Sequence, residues 1–334
     1  MKNNLVDGYR SRPAKMDDLE AAVGMFNLES KHTIGVEKFF LQDVMLDWQM
    51  PGFDLATDTQ IVLTADGSIA GFCGVWDLTP HTVVECWGCV HPAHAGIGLG
   101  TYLLAWAENR AHKALPKAPP ESQVTMNCSS ICLNQTAQDL FRQAGMQPVR
   151  YWLHMVIDLD AQPPKPLFPP GIEVRNLVVG QDEWELTKAA IESFRDHWGF
   201  VERPLEDEHE RWMHLVLKNE DFDPSLCYLA WDGDQLAGLC VCWSKSYEDP
   251  EMGWVEELAV RRPWRKRGIG LALLHHAFRD FYRRGNPRVG LGVDAQNLTG
   301  ALRIYEKAGM HPIPGRRFVT YEKELRPGLD LRTR

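Results

Sequence analysis

Two adjoining stretches of the sequence gather residues that could do chemistry. In "WVEELAV", Glu256 and Glu257 stand side by side in an otherwise apolar run. A carboxylate among apolar residues holds its proton more tightly, which suits it to take a proton from an amine, directly or through water. Strand geometry turns neighbouring side chains to opposite faces, so one of the pair is expected on each side of a sheet. A solvated or ion-paired surface position accounts for either residue equally well. The run leads directly into "RRPWRKRGIGLALL", a basic, glycine-punctuated turn and a helix start. There the unpaired amides of Arg267, Gly268, Ile269 and Gly270 would converge with the positive end of the helix dipole, a setting that fits a pyrophosphate. Glycine allows the phosphate to reach the backbone. The same spacing also fits a plain strand-to-helix turn. Two other phosphate loops are excluded: no Ser or Thr follows a Gly-Lys pair here, and Leu273 stands where the dinucleotide fingerprint needs its third glycine.

The elements that must position these groups occur twice. Asp66-Gly67 matches Asp232-Gly233, Ala70-Gly71 matches Ala237-Gly238, and Trp76 matches Trp243. Gly98 and Gly100 match Gly268 and Gly270, and Ala144-Gly145-Met146 matches Ala308-Gly309-Met310. The nearly constant offset means one fold present twice. Between the copies, "DAQPPKPLFPPG" carries prolines that continue neither a helix nor a central strand. The expected division is residues 1–159, a linker at 160–171, and residues 172–334. Each copy reads as a strand, a capped helix, a hairpin, a strand, the glycine loop, a helix, a strand, a second helix and a closing hairpin. In the second copy, Asp182 can cap a helix reaching about Phe194. Leu271, Leu274, Phe278 and Phe281 recur at helical spacing up to Gly285, "VGLGV" alternates like a strand, and a helix is expected from Thr299 to Ala308. The class is α+β, two tandem domains, each a mixed, mostly antiparallel sheet flanked by helices.

Bulk properties limit the partners. The chain of 334 residues carries a formal net charge of −9, which disfavours nucleic acid and favours a cationic acceptor. No run is long and apolar enough for a membrane span and the first residues lack a secretion signal's apolar core, so a cytoplasmic protein is expected. Eight cysteines fit that compartment as small buried hydrophobes. Cys86 and Cys89 form a C-x-x-C, but in a strand-like run rather than a knuckle turn, so core packing is expected and no metal.

The glycine loop together with "DAQNLTGALRIYEKAGM" closely resembles the GNAT superfamily of acyl-CoA-dependent N-acyltransferases. Its signature, Arg/Gln-x-x-Gly-x-Gly/Ala at the start of the central helix, is met by Arg265, Gly268 and Gly270. The duplicated layout resembles that of two-copy members. The resemblance implies an acetyl-CoA-dependent N-acetyltransferase acting on a small, cationic amine. It implies that Leu258, Ala259 and Val260 pair with the pantetheine arm and that Arg265, Lys266, Arg267, Gly268, Ile269, Gly270 and Leu271 cradle the pyrophosphate. Asn297 would lie along the cofactor.

Tyr305 sits where the family carries its catalytic tyrosine, four residues before Gly309, and its phenol can protonate a departing thiolate. It also fits as a core aromatic on an amphipathic helix. Glu256 matches the strand position of one branch's base, whereas another branch places its base two residues earlier, at Trp254 here. In "SFRDHWGF", Asp196, His197 and Trp198, with Glu257, are candidates to grip the amine, although helix-end packing fits them equally. In the first copy Ala95 replaces the signature arginine, Phe141 the tyrosine, and Cys86 the strand glutamate. The second copy is therefore the expected site of catalysis. The rival from another class is a non-catalytic acyl-CoA-binding or regulatory protein. The sequence fixes no oligomeric state.

Overall fold

The computed structural model describes residues 4–296 and 300–333. Asn297, and Thr299 at the expected start of the last helix, lie outside the described residues. The first repeat runs β1 (Arg10–Arg12), α1 (Leu19–Ile34), α2 (Leu41–Trp48), α3 (Leu55–Asp58), β2 (Thr59–Leu63), β3 (Ile69–Asp77), β4 (Val83–Val90), α4 (Leu99–Ala111), β5 (Val124–Ile131), α5 (Gln135–Gln143) and β6 (Gln147–Asp158). The second runs β7 (Ile172–Asn176), α6 (Glu183–Phe194), α7 (Leu205–Trp212), β8 (Cys227–Asp232), β9 (Gln235–Trp243), β10 (Met252–Val260), α8 (Ile269–Arg284), β11 (Arg288–Asp294), α9 (Ala301–Lys307) and β12 (His311–Arg326).

Two compact units result, and their boundaries differ from those expected at the proline-rich segment. One unit is Met1–Tyr151 with Arg317–Leu331; the other is Trp152–Arg316 with Arg332–Arg334. The cause lies in the last strand of each repeat. In place of the expected closing hairpins, β6 is a single strand of 12 residues and β12 one of 16. Residues Trp152 to Asp158 of β6 pair antiparallel with β11, and Phe318 to Arg326 of β12 pair antiparallel with β5. Each unit thus takes its last strand from the other repeat, which supplies the backbone partners a returning hairpin would have supplied.

Within each unit one parallel pair interrupts an otherwise antiparallel sheet. In the first unit β1, β2, β3 and β4 pair antiparallel in turn and β4 pairs parallel with β5. In the second, β7, β8, β9 and β10 pair antiparallel and β10 pairs parallel with β11. One face of the second sheet packs on α8, where Leu273, Leu274, Ala277, Phe278 and Phe281 are fully buried. Side chains of that size contribute about 1.5–3 kcal/mol each on burial, so this helix anchors the unit. The other face packs under α6 and α7 through Leu186, Ala189, Trp212, Leu239 and Val241. Asp182 begins α6 as expected, but its carboxylate holds Arg175 and the Val178 amide rather than the helix's own amides. Gly285 ends α8 in the left-handed conformation.

The proline-rich segment 160–171 forms neither helix nor strand and is partly docked. Arg279 of α8 donates to the Pro163 carbonyl at 2.9 Å, and Phe168 packs on the core beneath α8. All eight cysteines are free thiols. Among the described residues no group of three or more His, Cys, Asp or Glu is placed to hold a metal ion, and no described helix is long and apolar enough to cross a membrane.

Candidate active site

The second unit builds its site where β10 and β11 part. Their parallel pairing runs from Met252 with Arg288 to Val255 with Leu291 and stops. Beyond it, Glu257 to Val260 pair only with β9. The edge of Leu258, Ala259 and Val260 that faces away from β9 therefore has no strand partner, and apart from the Val260 carbonyl, which Arg265 holds, it can take a ligand's amides, as the pantetheine arm requires.

At the same point β10 bulges: the register with β9 jumps between Val255 and Glu257, leaving Glu256 as the extra residue. This corrects the expectation that Glu256 and Glu257 face opposite sides. Val255 points into the core under α8. Glu256 accepts a hydrogen bond from the indole of Trp254 at 3.0 Å, and Glu257 feels the charges of Glu256 and of Glu208 on α7. Both carboxylates thus lie on the α6–α7 face.

Their environments differ. Glu256 keeps contact with solvent inside a close wall of protein. That crowding raises its carboxyl above the ordinary range, and the Trp254 hydrogen bond, which favours the ionised form, opposes the rise. Glu257 is pushed up to about 7, first by burial and then by the charges of Glu256 and Glu208. Its Oε2 is buried without a hydrogen-bond partner. Both carboxyls therefore hold a proton more tightly than an ordinary carboxylate, a setting that suits proton uptake from an amine.

The glycine loop follows directly. Lys266, with φ of 62°, and Gly268, with φ of 88°, occupy the left-handed region, and Gly268 opens α8 without a side-chain cap. Among the described residues the amides of 266–270 make no hydrogen bond, and Lys266, Arg267 and Gly268 are exposed. Open amides at a helix start beside two exposed cations fit a diphosphate. Arg267 also approaches Asp232 at 3.4 Å, which in turn accepts from the indole of Trp264 at 2.7 Å.

Arg265 does something else here. Its guanidinium donates to the Val260 carbonyl at 3.0 Å and the Ser193 carbonyl at 2.9 Å, and it pairs with Asp196. Asp196 also pairs with Arg262, and the two guanidinium groups hold its carboxyl down at about 2. Asp196 is thus a strut between α6 and the loop and is not turned toward an amine. His197 packs edge-on against Phe194, and burial lowers its basicity. Trp198 meets Trp152 edge-on at 6.5 Å between ring centres.

Tyr305 is buried in the core cluster under α8, and burial pushes its phenol up to about 12, so it is a proton donor at neutral pH. His276 of α8 packs edge-on against Tyr228 at 4.9 Å.

The first unit repeats this plan with different side chains. The parallel pairing of β4 with β5 stops at Cys86 and Cys128, and a cavity of about 490 Å³ opens in that fork between the Gly96–Gly100 turn, α1 and α5. Its β4 pairs with β3 without a bulge. Cys86 points into the core under α4, the place of Val255, and Trp87 lies on the face that carries the carboxylates in the second unit. The first repeat therefore puts an aromatic ring, and not Cys86, where Glu256 stands in the second. Phe141 lines the cavity in the place of Tyr305.

A twice-repeated sheet that forks beside an open-amide helix start defines a tandem acyltransferase. The chain belongs to the acetyltransferase (GNAT) family: the family profile matches residues 185–310, and a second GNAT domain profile matches residues 57–147. It is similar to the mycothiol acetyltransferases of Streptomyces scabiei, 30% identical over 79% of this chain and 78% of that one, and of Streptomyces coelicolor, 30% identical over 79% and 78%. Among solved structures it is similar to a GCN5-related N-acetyltransferase from Sphaerobacter thermophilus, at 35% identity, a TM-score of 0.77, and coverage of 98% of this chain and 99% of that one. A tandem GNAT protein from the clavulanic acid biosynthesis pathway shares the fold, at 15% identity, a TM-score of 0.72, and coverage of 96% and 99%. The chain is an acyltransferase of this family.

Proposed function

We propose that the second repeat transfers the acetyl group of acetyl-CoA to the primary amine of a small cationic acceptor. The observation that carries this reading is the bulge at Glu256, placed where β10 and β11 part and directly ahead of the open-amide loop. Acetyl-CoA supplies an activated thioester. The β10 edge at Leu258 to Val260 holds its pantetheine amides, and the amides of 266–270 with Lys266 and Arg267 hold its phosphates. Arg265 acts by fixing the loop through Val260, Ser193 and Asp196.

Glu256 accepts the proton that leaves the attacking nitrogen, and the protein crowded around it makes it more basic than an ordinary carboxylate. The C–S bond breaks as the new C–N bond is completed, and the Tyr305 hydroxyl gives its proton to the departing sulfur. The rival, a binding-only protein, gives no reason for an unpaired carboxylate: among the described residues Glu256 has no cationic partner, only the Trp254 indole.

The test is a screen of primary amines with coenzyme A release as the readout, the acceptor of the Streptomyces mycothiol acetyltransferases included. Release that depends on an amine and is lost in Glu256→Gln supports the reading. Cofactor binding with no amine-dependent release across the screen would turn it toward the binding-only protein.

A further inference from the structure

The face of the second sheet that carries Glu256 has an aromatic row that the reaction itself does not use. Trp152 and His154 stand two residues apart on β6, so their side chains share a face about 6.6 Å apart along the strand. The register sets Trp152 beside Asp294 and His154 beside Gly292 on β11. The His154 ring meets the Trp254 ring edge-on at 5.0 Å, and Trp254 holds Glu256 at 3.0 Å. Trp198, from the segment after α6, meets Trp152 edge-on at 6.5 Å.

The glycines of β11 make this row possible. A side chain at Gly290 would come within 2.8 Å of the Trp254 ring, so Trp254 lies flat on the strand there. Gly292 leaves open space between His154 and Trp254, with nothing nearer than 3.9 Å to an added Cβ. Trp254 is buried, while Trp152, His154 and Trp198 are half-buried and Glu256 is exposed. The row therefore presents three partly open rings beside a carboxylate without a cationic partner.

We infer that Trp152, His154 and Trp198 form the wall that selects the acceptor, holding an organic ammonium whose apolar body lies on the indoles while its charge faces Glu256. Ring faces and a carboxylate attract the same ligand class, a cation with an apolar body; a neutral molecule gains only the contact area. The specificity wall of the second repeat is thus supplied in part by β6, the strand with which the first repeat ends. This gives the duplication a role in the working site even though the first repeat has lost its own acid, base and signature arginine. The inference rests on the acetyl-transfer reading for its location, not for its measurement.

The full chain, without acetyl-CoA, is titrated by calorimetry with cyclohexylammonium, with its neutral isostere cyclohexanol, and with methyl glucoside. The ammonium is expected to bind on the order of tenfold tighter than the alcohol. Trp152→Leu is expected to remove that preference, and Trp152→Phe, which keeps a ring, to retain most of it. Thermal protection by acetyl-CoA confirms that each variant is folded. If Trp152→Leu fails to fold, Trp198→Leu, outside the strand, carries the same test. Equal binding of ammonium and alcohol overturns the inference, as does ammonium binding indifferent to Trp152 and Trp198. Methyl glucoside binding with the same tryptophan dependence, and no ammonium binding, would make the wall a saccharide surface and overturn it too. No turnover is read, so an inactive transferase leaves this result standing, and a failed titration leaves acetyl transfer untouched.

Discussion

Asp196 and Arg265 are ion-paired across the space between the end of α6 and the glycine loop, with Arg262 as a second partner of the same carboxylate. In the proposed reading the signature arginine acts on phosphate at one remove, by holding the loop backbone through Val260, Ser193 and Asp196. Arg265→Ala is expected to weaken thermal protection by acetyl-CoA, and Asp196→Ala to weaken it in the same direction. The double variant should be little worse than the more severe single one, because both remove the same strut. Protection measured by melting at a series of acetyl-CoA concentrations checks this. Full additivity would show that Arg265 touches the phosphates independently of Asp196.

The two bulge carboxylates make opposite demands on pH. Glu257 is held protonated up to about 7 against an ordinary value of 4.5, so the folded chain binds more protons than the unfolded chain across that window. Its contribution to stability falls as pH rises through it. Glu257→Gln should melt above the parent at pH 8, and the gain should fade as pH falls toward 4.5. Glu257 carries no charge below about 7, so the same substitution should leave the acidic limb of kcat/KM, set by Glu256, in place. Melting curves and a pH–rate profile decide both points; a limb that moves to lower pH would show a charged Glu257 acting on the base. Glu256→Gln should cost about 10²–10⁴ in kcat, the usual worth of a positioned base.

Tyr305→Phe tests the acid. The hydroxyl is buried and raised to about 12, so the parent holds its proton throughout the working range. Removing the oxygen should lower kcat with cofactor affinity nearly intact, since the proton is needed only as the thiolate leaves. Affinity and turnover lost together would make Tyr305 a packing residue, as its place in the core cluster also allows.

What could be seen in the sequence follows from the range of the interactions involved. The duplication, the glycine loop and the helix ends are local, and glycine and turn chemistry write them into short stretches; α8 runs from Ile269 to Arg284 and stops at Gly285 as its spacing and glycines require. The exchange of β6 and β12 was not legible, because a strand's own residues do not say which partner its backbone will find. For the same reason the sequence does not place Trp152 and His154 at the site, although their i, i+2 spacing in "WLHMV" marks one face of a strand. The bulge is not legible because simple alternation describes β10 except at Glu256, where the strand breaks it. Asp196 reads as an amine ligand in the sequence because its partners, Arg262 and Arg265, are brought to it only by the fold.

The glycine loops of the two repeats allow a matched comparison. Gly268 and Gly98 both have positive φ, 88° and 101°, and both open the central helix of their unit. Neither is crowded: nothing lies within 4 Å of a Cβ added at Gly268, and at Gly98 the nearest atom is Val6 Cγ2 at 3.7 Å. A valine at either place therefore meets mainly the same backbone strain, on the order of 1–3 kcal/mol, so each variant controls for the stability cost of the other. The functional outcomes should differ. In Gly268→Val the loop either turns its amides away or sets a branched side chain against the diphosphate, and each lost amide-to-anion bond is worth about 1.5–3 kcal/mol. Losing several lowers acetyl-CoA affinity by orders of magnitude, and turnover goes with it. Gly98→Val should melt lower by a similar margin and keep most of its turnover, since Phe141 and Trp87 stand there in the places of Tyr305 and Glu256. Melting without ligand, acetyl-CoA affinity and amine-dependent coenzyme A release are measured on both. If Gly98→Val abolishes turnover while Gly268→Val spares it, catalysis belongs to the first repeat.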